Sequence, residues 1–156
     1  MALPPPPLKV CVFSGSRSGT NPAFASSAVS LARAIHAKSW SLVYGGGTKG
    51  LMGACAKTLH QLGGDVHGIR VRALIQCEGE DCGRSTECDT MHERKARMAM
   101  ESDAFVALPG GFGTLDELAE IITLVGVSFL LFFFFSFFFF LFPFLDHRYH
   151  WWMGGY

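Results

Sequence analysis

The sequence lacks an excess of charge of either sign: thirteen Lys and Arg stand against thirteen Asp and Glu, for a net charge of zero. Without a basic field the chain lacks the electrostatic footprint of general nucleic-acid binding, and no nucleic-acid partner is expected. A secretory leader is missing too. Met1-Ala2-Leu3-Pro4-Pro5-Pro6-Pro7 has no charged n-region, and the first apolar run, Val10 to Phe13, is too short for an h-region. The five cysteines are odd in number and show no paired C-x-x-C spacing. That argues against a disulfide framework and a zinc site, and for a reducing, cytoplasmic setting. No Gly-Lys-Ser/Thr triplet occurs, which excludes a Walker A loop. His92-Glu93 opens like a zinc-protease helix, but Ala96 stands where the second His is required, so no metal is expected.

Phenylalanine is scarce over most of the chain and crowded in one place. The first 124 residues hold four of the fifteen Phe, and eleven lie between Phe129 and Phe144. Residues 125–145 carry no charge at all. The chain therefore divides into a Pro-rich leader (1–8), one ordinary domain (9–124) and a Phe-rich low-complexity tail (125–156). A length of 156 residues fits a single domain.

Within 9–124 short apolar runs alternate with helical periodicity. Lys9–Phe13, Ser41–Tyr44, Val66–Val71 and Ala104–Leu108 read as strands. Between them, Thr20 or Asn21 caps a helix with Pro22 at its first position, and Leu51–Leu62 ends at Gly63-Gly64. Asp89 caps a helix over Met91–Glu101, and the last helix runs from Thr114 through Leu124. Residues 76–88 read as an exposed loop. This order predicts an α/β fold, a Rossmann-like parallel sheet with helices on both faces. Ligands in such sheets bind outside the carboxyl ends of the strands. Those ends carry Ser14-Gly15-Ser16, Gly45-Gly46-Gly47 and Pro109-Gly110-Gly111.

Gly45 to Gly50 matches G-x-G-x-x-G between a strand and a helix, the dinucleotide fingerprint. The acid that should hold the ribose is misplaced. Asp65 precedes the third strand, and its far end offers Arg70 and Arg72 instead. An NAD(P)-dependent oxidoreductase is therefore the weaker alternative. Pro109-Gly110-Gly111-Phe112-Gly113-Thr114-Leu115-Asp116-Glu117 is more informative, since its glycines permit close backbone approach and it feeds a helix N-terminus, a ready anion site. Thr114 with Glu117 also has capping-box spacing, a purely structural use of the same residues. Arg94, Lys95 and Arg97 can line an anionic pocket or form a solvated helix face. Cys11 and Cys55 are assigned to packing.

Taken together, Ser14-Gly15-Ser16, Tyr44 to Gly53, Met91-His92-Glu93-Arg94-Lys95 and Pro109 to Glu117 resemble the LONELY GUY family. Its members are cytokinin riboside 5′-monophosphate phosphoribohydrolases, often mislabelled lysine decarboxylases; no pyridoxal-phosphate site is recognisable here. The resemblance covers about residues 9–124 and implies a Rossmann-like fold, usually dimeric. It further implies hydrolysis of the N-glycosidic bond of a nucleotide, with no cofactor. It assigns catalysis to Arg94 and Glu117. Substrate contacts fall to Lys95, Gly110, Gly111, Phe112, Gly113, Thr114, Leu115 and Thr123, with Gly15, Ser16, Gly46 and Gly47 from the other two loops. A non-catalytic nucleotide-binding module on the same fold is the alternative. Two departures lie near the base side: Gly68-Ile69-Arg70-Val71 replaces Gly-x-Ile-Pro, and Ser85-Thr86-Glu87-Cys88 replaces an apolar pair.

The family continues after Thr123 with a further strand and helices that are not recognisable here. Phe129–Phe144 can be encoded by pyrimidines alone, as a translated intron polypyrimidine tract would be. The rival is a membrane span over the 21 uncharged residues Val125–Leu145. Pro143 and the dominance of Phe weaken that rival. The expectation is a retained-intron or gene-model tail, leaving an incomplete, aggregation-prone and inactive domain.

Overall fold

The computed structural model describes residues 6–79 and 81–125. Five strands, β1 (Lys9–Phe13), β2 (Ser41–Tyr44), β3 (Val66–Val71), β4 (Arg84–Cys88) and β5 (Ala104–Ala107), form one sheet in the order β4-β3-β2-β1-β5. Every pairing is parallel. The helices are α1 (Pro22–Ala37), α2 (Gly50–Gln61), the short α3 (Ile75–Glu78), α4 (Met91–Met100) and α5 (Phe112–Val125).

Alternation along the strands divides the core in two. Val10, Val12, Leu42, Tyr44 and Val66 face α1 and α2, which add Ala28, Ala32, Ile35, Leu51 and Leu59. Cys11, Phe13, Val43 and Ile69 face the other way, onto Met98 of α4 and Leu118 and Ile121 of α5. Both faces of the sheet are thus covered. Each fully buried leucine contributes about 1.5–3 kcal/mol relative to exposure. Burial pushes the Cys55 thiol up to about 12 and raises Cys11 as well, in keeping with packing roles.

The start of α1 follows the sequence: Asn21 Oδ1 accepts from Ala23 N at 2.9 Å, with Pro22 in the first helical position. The cap of α4 is one residue later than expected. Thr90, not Asp89, caps it, accepting from Glu93 N at 3.1 Å, while Asp89 N donates to the Glu93 carboxylate.

The larger correction concerns residues 76–88. In place of an exposed loop, the chain forms α3 and then β4, the edge strand paired to β3 from His67↔Arg84 to Val71↔Cys88. Arg84-Ser85-Thr86-Glu87-Cys88 buries only Cys88 fully, so it carries no apolar alternation to betray it. Its pairing rests on the backbone and on polar partners such as His67 Nε2 to Thr86 Oγ1 at 2.8 Å. A charged, short edge strand also resists unwanted pairing with other chains.

The order of the sheet reverses at β1, which has β2 on one side and β5 on the other. The crevice between the carboxyl ends of β1 and β5 is the place where such sheets bind ligands. Among the described residues no helix is long and apolar enough to cross a membrane. Most of the Pro-rich leader and the Phe-rich tail lie outside the described residues.

Candidate active site

The glycine loops meet at that crevice through the peptide groups flanking Gly15. Gly15 N donates to Pro109 O at 3.0 Å, and Gly15 O accepts from Leu51 N at 3.0 Å and Met52 N at 3.3 Å. A Cβ on Gly15 would stand 3.2 Å from both Gly110 Cα and Pro109 O, so glycine is what allows the two loops to close. A cavity of about 510 Å³ opens beside them, lined by Gly15, Ser16, Arg17, Pro109, Gly110 and Gly111, with Phe24 and Leu51 at its apolar side. Its volume suits a nucleotide-sized ligand.

Pro109-Gly110-Gly111 delivers the chain into α5, whose first turn faces this crevice. The helix begins at Phe112, so Thr114 lies inside the first turn, its N–H bonded to Gly111 O at 3.0 Å. Leu115 N shares the same acceptor at 3.2 Å. The capping box suggested by Thr114 and Glu117 does not form, because the Glu117 carboxylate is turned away to an arginine. Gly110 matters here for its missing side chain, since a Cβ would overlap Thr114 Oγ1. Gly111 and Gly113 border open space, and Phe112 is 83% exposed at the rim.

Arg94 and Glu117 are brought together from different elements. Arg94 lies on the inner face of α4 and Glu117 one turn into α5, with Nη2 to Oε1 at 2.5 Å and both residues buried. Burial pushes the Glu117 carboxyl above its ordinary value, and the Arg94 charge only partly offsets this. Arg94 Nε is buried without a hydrogen-bond partner among the described residues. The guanidinium also lies against the second glycine loop: a Cβ on Gly45 would stand 2.5 Å from Nη2. A carboxylate with raised affinity for a proton, fixed beside a permanent cation, is an arrangement suited to general base or electrostatic work.

The remaining sequence-predicted residues are distributed unevenly. Gly46 (φ +81°) and Gly47 sit at the end of β2, and Ser16 lines the cavity. Lys95 Nζ is held between Asp116 Oδ2 at 2.9 Å and Glu120 Oε2 at 2.5 Å, sharing a small separate cleft with Glu117. Thr123 is exposed, and its hydroxyl donates to Ala119 O and Glu120 O of its own helix. Among the described residues Arg97 pairs with Glu93 alone, 3.6 Å away and as half-exposed as itself. Asp65 is at the amino edge, bound to Arg84. Among the described residues no group of metal-ligating side chains gathers.

Sequence reasoning does not assign Gly45, Arg17 or Arg70 to the site. Gly45 follows β2, and only the position of Arg94 reveals its use. Arg17 follows Ser14-Gly15-Ser16 directly and lines the cavity, which a strand-end reading extended by one residue would have caught. Arg70 was noted as a strand-end cation but not as a buried one.

Comparison with known proteins bears on the family and the fold. Residues 52–145 match the family model described as "Possible lysine decarboxylase". The chain is 47% identical over 115 residues to "Probable cytokinin riboside 5′-monophosphate phosphoribohydrolase LOG4" of Oryza sativa subsp. japonica, covering 72% of this chain and 50% of that protein. It is 48% identical over 116 residues to "Cytokinin riboside 5′-monophosphate phosphoribohydrolase LOG5" of Arabidopsis thaliana, covering 73% and 51%. The chain spans about half the length of the curated relatives it matches. Among solved structures, the molybdenum cofactor carrier protein of Chlamydomonas reinhardtii superposes with a TM-score of 0.64 at 23% identity, over 76% of this chain and 72% of that one. At that identity the likeness speaks for the fold alone. By the family match, and by the motifs that line its crevice, the chain belongs to the LONELY GUY family, the group that carries the lysine decarboxylase description.

Proposed function

We propose that this chain hydrolyses the N-glycosidic bond of a nucleoside 5′-monophosphate, of cytokinin type or AMP, releasing free base and ribose 5-phosphate. The observation that carries the reading is the buried Arg94–Glu117 pair, set against Gly45 on the same carboxyl edge of the sheet as the glycine-lined cavity. The residues proposed for this chemistry all lie within 9–124. The phosphate is held at the N-terminus of α5 by backbone N–H groups and the helix dipole, and that binding positions the sugar. As the bond from C1′ to the base breaks, its electron pair leaves with the base and positive charge develops on the ribose ring. Glu117 stabilises that charge and takes a proton from the water whose oxygen bonds to C1′, while the leaving nitrogen of the base takes up a proton from solvent. Arg94 stays protonated, so it orients the carboxylate or the phosphate and cannot act as the general acid. This chemistry calls for no metal or redox cofactor.

Incubating the protein with AMP and with isopentenyladenosine monophosphate, and separating products by chromatography, tests the reading: free base should appear with both or with one. A second reading, nucleotide binding without turnover, is favoured by one observation: Glu117 lines a small cleft with Lys95 and not the larger glycine-lined cavity. Saturable AMP binding with no base released would select it. The family resemblance extends the proposal to a homodimer, which sedimentation of the purified chain checks, and the cysteine count extends it to a reducing, cytoplasmic setting.

A further inference from the structure

Two consecutive glycines after β2 each rest on a buried arginine, one from either face of the sheet. Gly45 lies on Arg94, which comes from α4. Gly46 lies on Arg70 of β3, where a Cβ would overlap Arg70 Cγ. By strand alternation Arg70 shares the face of Val66, the face covered by α1 and α2. It is only 4% exposed, and its guanidinium is spent on the segment that follows β3. Nη1 pairs with Asp81, and Nη2 donates to Ile75 O at 3.1 Å and Gly79 O at 2.7 Å. Gly79 in turn lies against the loop where the arginine stem began: at φ +90°, a Cβ there would overlap Thr48 Oγ1. The contacts run from Gly46 through Arg70 and Gly79 back to Thr48.

A guanidinium removed from water is costly, and an apolar residue of similar volume often serves stability as well or better. Isoleucine is the residue that the Gly-x-Ile-Pro pattern would put at this position. What the arginine adds is geometry: a rigid fork that ties two backbone carbonyls and a carboxylate to one stem. We propose that Arg70 is a positioning residue for nucleotide binding, a clamp that holds the α3 segment and Asp81 against the glycine loop 45–48. That loop is the surface on which Arg94 rests. The clamp itself stands on this geometry, and its consequence for the nucleotide rests on the reading given under Proposed function.

The test uses the whole chain and the variants Arg70→Ile, Arg70→Lys and Asp81→Asn, with amide hydrogen exchange read by segment and AMP turnover read as KM and kcat. For Arg70→Ile, exchange at 45–48 and 75–79 should quicken by about tenfold while α5 is unchanged. KM for AMP should rise about fivefold to tenfold with kcat within about twofold, the split expected when binding and not chemistry is loosened. Arg70→Lys should restore part of both, since an ammonium reaches a carbonyl but lacks the fork. Asp81→Asn, which keeps the arginine and both carbonyl bonds, should fall between and decides the matter if Arg70→Ile fails to fold. Unaltered exchange at 45–48 in these variants, or a loss confined to kcat, overturns the clamp. Absence of base release from the unaltered chain overturns the hydrolase reading alone, with the exchange arm still deciding the clamp.

Discussion

At the amino edge of the sheet Asp65 and Arg84 hold each other at 3.0 Å with about half of each side chain in water. At the carboxyl edge Arg94 and Glu117 stand 2.5 Å apart with about a tenth of each exposed. The first pair costs little to form and gives little, as exposed ion pairs do. The second removes two charges from water, and its attraction offsets that penalty only in part, which is why Glu117 keeps a raised affinity for a proton. A sequence shaped by stability alone has no reason to place its expensive pair where the strands end in glycine. The contrast separates an edge that holds the sheet from the edge to which the proposed chemistry is assigned.

The comparison breaks most severely at Glu117. Glu117→Gln should abolish base release while leaving AMP binding within about tenfold, because the carboxylate acts on the reacting sugar and not on the phosphate. It should also cost about 3 kcal/mol in a denaturant titration, since Arg94 cannot shed the charge left buried beside it. Appreciable turnover would move the chemistry elsewhere.

Arg94→Ala should lose both affinity and rate, with a smaller stability cost of about 2 kcal/mol at neutral pH, because Glu117 can escape by taking up a proton. The unaltered chain carries the same signature. Glu117's folded value lies above its unfolded one, so the folded state binds the proton more tightly and this group's contribution to stability falls as pH rises between the two. Base release, which needs the carboxylate, should fall as pH drops through the folded value, above the ordinary carboxylate range. The rate profile of the unaltered chain and the difference between its melting profile and that of Glu117→Gln check both signs.

The glycines sharpen the comparison on a smaller scale. Gly46→Ala forces a side chain into left-handed backbone and onto Arg70, and should cost about 2 kcal/mol. Gly111→Ala, bordering open space, should cost well under half of that. Equal losses in thermal unfolding would mean that the loop after β2 is not braced. Smallest of all, Arg84→Ala at the amino edge should change stability by about 0.5 kcal/mol and leave AMP kinetics alone.

The sequence made β1, β2 and β5 legible because each is an apolar run stopped by a glycine turn, and it made the crevice legible because those three stops fall on one edge. It hid β4, whose Arg84-Ser85-Thr86-Glu87 carries the composition of a loop and pairs through its backbone. The partnership of Arg94 with Glu117 came from family resemblance, since no spacing rule joins residues on two different helices. The same spacing rule that suggested Thr114 and Glu117 as a cap failed because α5 starts two residues earlier, which commits Thr114 to the helix and frees Glu117 to turn inward. Arg70 shows the limit of pattern reading most clearly. A lone arginine in a strand looks like a solvated end until the glycine above it and the carbonyls beyond it are seen together.

The carbonyl of Gly15 has a consequence for the dinucleotide fingerprint at Gly45 to Gly50. In a nucleotide fold that uses such a fingerprint, the first amides of the following helix are open to receive a pyrophosphate. Here Leu51 N and Met52 N, the second and third amides of α2, already end on Gly15 O. A protein oxygen occupies the position that an anion would need, so α2 is closed as a phosphate receptor by its own neighbour. The first amides of α5, at Phe112 and Gly113, have no such occupant among the described residues. Of the two glycine-led helices on this edge, one is filled by the fold and one is left for a ligand. Among the described residues, α5 is thus the one of these two helix starts whose first amides are open, in keeping with the single phosphate of the mononucleotide proposed above.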